Sequence, residues 1–129
     1  MRLLLDTHAL LWALGDPARL SKKARDLIAD PAHDVFVSAA SAWEISTKVR
    51  LGKLTGHDHV VGAWSSYLTR LGVQALPISD AHALLAGTLT WEHRDPFDRM
   101  LAAQALTEGL TLVTRDQAFD SLGSVRTRW

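Results

Sequence analysis

Four acidic residues of this 129-residue chain, Asp6, Glu44, Asp98 and Asp116, stand where short apolar runs give way to helical patterns or the reverse. Two carboxylates about 5 Å apart repel by roughly 3 kcal/mol at an effective dielectric near 20, and four of them make several such pairs. That repulsion rivals the net stability of a whole domain, about 5–15 kcal/mol. A cluster of this kind has to be protonated, paired with Arg or Lys, or occupied by a hard divalent cation. Oxygen donors alone match Mg²⁺ or Mn²⁺. Such an ion activates a water and polarises a phosphoryl oxygen, so the chemistry indicated is metal-assisted hydrolysis of a phosphodiester.

The elements that would have to bring these acids together are legible as a pattern. Leu3-Leu4-Leu5 is a short continuous apolar run of the kind buried on both faces of a parallel sheet, and Asp6 ends it. Val35-Phe36-Val37 and the run from Leu110 to Val113 read the same way, and Asp116 follows the latter. Val73 to Ile78 is an extended segment, and Ser124 to Thr127 an expected edge strand. Between them lie helical patterns: His8 to Leu14; Lys22 to Ala29 behind a Ser21 cap; a helix carrying Trp43, Glu44 and Lys48 up to Gly52; one running to Leu71; and Asp80 to Leu89 behind Ser79. A last helix runs from Pro96 to Glu108 and stops at Gly109. Strands alternating with helices predict an α/β fold, a three-layer α/β/α sandwich on a central parallel sheet with right-handed crossovers. Ligands in such sheets gather beyond the carboxyl ends of the strands, where Asp6 and Asp116 sit.

Two of the acids also have purely structural readings. Pro96 suits a first helical turn, which makes Asp95 the N-cap and places Asp98 where it complements the helix dipole. Ser41-Ala42-Trp43-Glu44 matches a capping box, in which Glu44 would reach back to the Ser41 amide. The six histidines show no convincing pair at metal-ligand spacing; His8 and His93 flank the acids, and His57-Asp58-His59 reads as a surface turn. Lys48, Arg94, Arg99 and Arg115 are candidates for a local phosphate-binding rim, with Arg50 and Lys53 weaker ones. Of the five tryptophans, Trp12, Trp43 and Trp64 fall on helical faces expected in the core; an apolar groove for a partner helix or a homodimer contact is the functional alternative.

Composition narrows the classes. The length predicts a single domain over residues 1–129 with one substantial core. Fourteen basic residues balance fourteen acidic ones, so any nucleic-acid contact must come from a local patch rather than a global field. The absence of cysteine excludes disulfides, thiolate metal sites and a thiol nucleophile, and agrees with a reducing compartment. Leu3-Leu4-Leu5 is too short for a signal core or a membrane span, which predicts a cytoplasmic protein without a membrane partner.

Four motifs in order, Leu3-Leu4-Leu5-Asp6-Thr7-His8-Ala9-Leu10-Leu11-Trp12, Trp43-Glu44-Ile45-Ser46 with Lys48 and Gly52-Lys53-Leu54, His93 to Ala105, and Val113-Thr114-Arg115-Asp116, resemble the PIN-domain family, specifically its VapC-type toxin ribonucleases. The resemblance covers nearly the whole chain. It implies a Mg²⁺- or Mn²⁺-dependent endoribonuclease, the toxin of a toxin–antitoxin pair, inhibited by a small cognate antitoxin. By position, Asp6, Glu44, Asp98 and Asp116 correspond to the family's four acids, as catalytic and metal-binding residues, and Thr114 to the hydroxyl residue often found two positions before the last of them. The rivals are a catalytically idle PIN-like interaction module and an Asp-based phosphatase. Asp6-Thr7-His8 weakens the latter, because it lacks a second Asp two residues on.

Overall fold

The computed structural model describes residues 1–129 throughout. Five strands, β1 (Arg2–Leu5), β2 (Asp34–Ser38), β3 (Gln74–Leu76), β4 (Thr111–Val113) and β5 (Thr127–Arg128), form one sheet in the order β3-β2-β1-β4-β5, with every pairing parallel. The helices are α1 (Thr7–Gly15), α2 (Lys22–Ala29), α3 (Ala39–Arg50), α4 (Asp58–Gly62), α5 (Trp64–Leu71), α6 (Asp80–Thr88) and α7 (Pro96–Glu108), with 3₁₀ turns at Pro17–Arg19 and Gln117–Ser121. None is long and apolar enough to cross a membrane.

The side-chain alternation of the strands explains the three layers. Leu3 and Leu5 join Val35, Val37 and Val113 on one face, where they meet Leu10, Ala24, Ile45 and Leu68 from α1, α2, α3 and α5. Leu4 and Leu112 point the other way, toward Leu101, Ala102 and Ala105 of α7. All three β1 leucines are fully buried, as expected of a strand covered on both sides. The alanines let α7 lie close to the sheet, and α6 packs along its outer side.

The chain crosses from β1 through β2 to β3 toward one edge, whereas β4 and β5 occupy the other, so the strand order reverses between β1 and β4. Leu5 pairs with Val113 at this seam, and Asp6 and Thr114 are the next residues out. The crevice beyond such a seam is where open α/β sheets bind ligands.

Three expectations are revised. The helix expected to run to Leu71 is two helices, α4 and α5, broken at Ala63 (φ −127°, ψ 35°) after the permissive Gly62. The edge strand lies at Thr127–Arg128 rather than from Ser124, because Val125 is turned into the second core. Trp43 is 61% exposed. The buried face of α3 carries Ala40, Ser41, Glu44 and Ile45, which leaves Trp43 outside, edge-on to Phe97 at 4.9 Å. Trp12, by contrast, is buried, and Trp64 packs at the margin of the same core.

Candidate active site

Asp6 caps α1 from the end of β1. Its Oδ1 accepts the Ala9 amide at 2.7 Å and its Oδ2 accepts the Thr114 hydroxyl at 2.5 Å. The same Thr114 oxygen accepts the Asp116 amide at 3.0 Å, so one hydroxyl joins the ends of β1 and β4 and fixes the start of the turn beyond. Only 6% of Asp6 is exposed. Burial pushes its pKa above the ordinary carboxylate value; the Thr114 and Ala9 hydrogen bonds and the nearby His8 oppose this, and the Asp116 charge adds to it.

Asp98 arrives from a different kind of element. Asp95 caps α7, accepting the Phe97 and Asp98 amides at 2.8 and 3.2 Å, and Pro96 takes the first helical position, as expected. Asp98 therefore stands in the first turn, where its Oδ2 meets His93 Nε2 at 2.7 Å. Its pKa is raised from 3.8 to about 6, chiefly by burial; the His93 hydrogen bond pulls down, the Asp95 and Asp116 charges push up, and the His93 charge pulls down. The Asp116 charge thus bears on both Asp6 and Asp98, and Asp6 and Asp116 line one cleft. Donor atoms of His93, Asp95 and Asp98 lie within 4.8 Å of one another, a grouping of potential metal ligands that does not include Asp6 or Asp116.

Glu44 sits beside this pocket rather than at its centre. Its Oε1 accepts the Thr7 hydroxyl at 2.6 Å and its Oε2 meets Lys48 Nζ at 2.5 Å, in a setting where the glutamate is 5% exposed. Thr7 follows Asp6 in the chain, so Glu44 is one hydrogen bond from the backbone that carries Asp6. The capping-box reading does not hold. Ser38 at the end of β2 caps α3 by accepting the Ala40 amide, and Ser41, already inside the helix, bonds the Thr7 hydroxyl instead.

The expected cationic rim divides. Arg99 is committed to backbone: its Nε donates to Ala86 O, its Nη1 to Trp91 O and His93 O, and its Nη2 to Leu89 O, all at 2.8–3.0 Å. It is therefore a staple for the 89–93 segment, which no local sequence signal announces. Lys48 neutralises Glu44. Arg94 is exposed and borders the groove beside Trp43 and Phe97. Arg115 lies over the Trp12 ring, 4.7 Å from its centroid. Sequence reasoning noted His93 as a flanking residue without assigning its link to Asp98; Ser41 was read as a cap, and Thr7 was given no role although it stands directly after the first acid.

The donor set fits a hard divalent cation. Asp6, Asp98 and Asp116 offer oxygen only, two of them are pushed toward protonation by burial, and each of those two feels the repulsion of Asp116. A cation among them removes that repulsion. The architecture is that of an α/β/α protein with an acidic, cation-adapted pocket at the switch point of its sheet. A family model described as PIN domain matches residues 3–125. Ribonuclease VapC22 of Mycobacterium tuberculosis is 30% identical over 119 residues, 92% of this chain and 89% of that protein. The chain belongs to the PIN-domain family, among its VapC-type members. The fold also superposes on VapBC2 of Rickettsia felis, solved bound to a DNA fragment from its promoter (TM-score 0.72, 17% identity, 99% of this chain and 98% of that one). VapBC-1 of nontypeable Haemophilus influenzae matches with a TM-score of 0.69 at 19% identity, covering 99% of this chain and 97% of that one.

Proposed function

We propose that this chain is a metal-dependent endoribonuclease, a single nuclease domain over residues 1–129 that acts in the cytoplasm as the toxin of a toxin–antitoxin pair. The observation that supports the reading is that Asp6 and Asp116 line one cleft beyond the β1–β4 seam, while burial first and the Asp116 charge among the lesser causes push up the pKa of both Asp6 and Asp98. These three would hold Mg²⁺ or Mn²⁺, with Glu44 completing the acidic set directly or through water. The bound ion supplies an activated water and polarisation of the phosphoryl oxygen.

The chain's own residues do the rest. Thr114 fixes the Asp6 carboxylate and, through its amide contact, the position of Asp116. His93 orients Asp98. Arg115 is an RNA phosphate contact, whereas the bonding of Arg99 makes it a support for the His93 side of the pocket. Asp6, buried with both oxygens already accepting hydrogen bonds, is badly placed to attack phosphorus itself, which argues against the phosphatase reading. The partner side of the proposal is a small cognate antitoxin and a possible second copy of the chain. It draws on the relatives solved as VapBC and on the exposed Trp43 beside the half-buried Phe97.

Cleavage of single-stranded RNA by the purified protein tests this. Added Mg²⁺ or Mn²⁺ should restore cutting that EDTA abolishes, and Asp6→Ala and Asp98→Asn should stay inactive with either ion. Equal cutting by wild type and both variants would overturn the site. Neither binding heat nor a rise in melting temperature with Mn²⁺ would favour a catalytically idle interaction module instead.

A further inference from the structure

A cleft of about 850 Å³ has Asp6 and Asp116 in its wall. Its size falls within the ~300–1,000 Å³ of sites that hold a small molecule. Its wall also includes Arg19, Arg115, His59 and Tyr67, and it lies between the α1 side of the fold and the α4–α5 corner.

Two features of this wall point to a ligand. Arg19 and Arg115 both lie over the Trp12 ring, at 4.8 and 4.7 Å from its centroid, yet neither guanidinium has a carboxylate or carbonyl partner. Stacking orients a guanidinium while leaving its N–H donors available. The second feature is an aromatic corner. The exposed His59 meets Tyr67 edge-on at 5.6 Å, and Arg70 braces the Tyr67 ring from 4.7 Å. Unpaired guanidiniums next to ring surfaces, leading to carboxylates, match a phosphate, a base and a reaction centre in turn.

We propose that this cleft seats a nucleotide of single-stranded RNA adjacent to the bond being cut, with its base against Tyr67 and His59 and its phosphate on Arg19 and Arg115. The inference rests on the nuclease reading and adds a substrate-binding surface to it. A base can enter such a cleft only when unstacked, which selects single strands over A-form duplex. A protein segment is the lesser fit, because unpaired guanidiniums and carboxylates share this wall with its aliphatic residues Leu11, Leu14, Leu54 and Val60.

Binding without turnover provides the test. A short, 5′-fluorescein-labelled, mixed-sequence single-stranded RNA is titrated with the Asp98→Asn protein in EDTA, and anisotropy is read. Tyr67→Ala and His59→Ala should each weaken binding by about tenfold. Arg19→Gln with Arg115→Gln should flatten the slope of log affinity against log salt by about 1.4. Leu84→Ser, at an exposed position away from the cleft, should change nothing. His59 is exposed, so its replacement reads the cleft even where Tyr67→Ala disturbs packing. Unchanged RNA affinity in the His59 and arginine variants overturns the assignment and leaves the cleft to a protein segment; equal affinity for the duplex form overturns it as well. Failure of the nuclease reading looks different: the RNA still binds through these residues, but wild type with Mn²⁺ does not cut it.

Discussion

The two shoulders of the acidic pocket are built from different materials. On one side, Asp6 and Thr114 are the first residues beyond two adjacent, fully buried strands, and a hydrogen bond between them ties the seam of the sheet. On the other, Asp98 opens a helix and leans on His93, which belongs to an irregular segment held by one arginine. The first shoulder is fixed by the sheet itself, whereas the second is fixed by a helix start and by a loop that Arg99 holds. The carboxylates reflect this difference: Asp6 is held almost out of water, and Asp98 is left with a pKa of about 6, inside the range where a change of pH alters its charge.

The comparison breaks most sharply at Asp6. Asp6→Asn should lower RNA cleavage by about a thousandfold, while its melting temperature in EDTA holds or rises, since the buried charge is removed, Oδ1 still accepts the Ala9 amide and Nδ2 can donate to the Thr114 oxygen with the direction of that bond reversed. A large fall in melting temperature would mean that the carboxylate is a structural cap first. Arg99→Gln should act oppositely, by releasing the loop shoulder. Losing charge-assisted bonds to four carbonyls should destabilise the protein by about 3 kcal/mol, or about 10 °C in melting temperature. Lysine should not rescue it, because a single ammonium cannot span that fork.

Asp98 gives a smaller, pH-dependent effect. Its pKa is higher in the folded protein than the ordinary 3.8, so the folded state binds the proton more tightly than the unfolded chain does. The resulting stability is fully present below 3.8 and is lost as pH rises through about 6. Thermal melts in EDTA across that window should show the decline, and Asp98→Asn should flatten it. The smallest change is expected at the margin of the pocket. Lys48→Met leaves Glu44 with Thr7 alone and should cost about 1 kcal/mol; if Glu44 helps to hold the cation, added Mn²⁺ should recover part of it.

The strand shoulder was legible in the sequence, whereas of the other shoulder the helix start and its acid were legible and the loop that supports them was not, for a physical reason. A strand covered on both faces must be apolar throughout, so Leu3-Leu4-Leu5 and Leu110–Val113 reveal themselves, and the acid that follows each is placed with them. Asp95-Pro96 likewise encodes a helix start in two residues. The Arg99 staple depends on four carbonyls of a segment without periodicity, and no residue type advertises a carbonyl. Glu44 shows the limit of local rules most plainly. Ser38 and Ser41 are equally good caps by type, and what decides between them is Thr7, thirty-four positions away, which takes the Ser41 hydroxyl. Trp43 was misplaced because the apolar side of α3 includes the buried polar Ser41 and Glu44, which shifts its face from where hydrophobicity alone would set it.

The hydrogen bond between Thr114 and Asp6 spans 108 positions of the chain. During synthesis the first acid leaves the ribosome early, with the strand that will become the middle of the sheet, but it has no seam to sit in. Its neighbour β4, the threonine that orients it and the last carboxylate are all translated about a hundred codons later. On the nuclease reading, the nascent chain is therefore without its active site: the pocket closes only once the segment around residue 114 has emerged and paired.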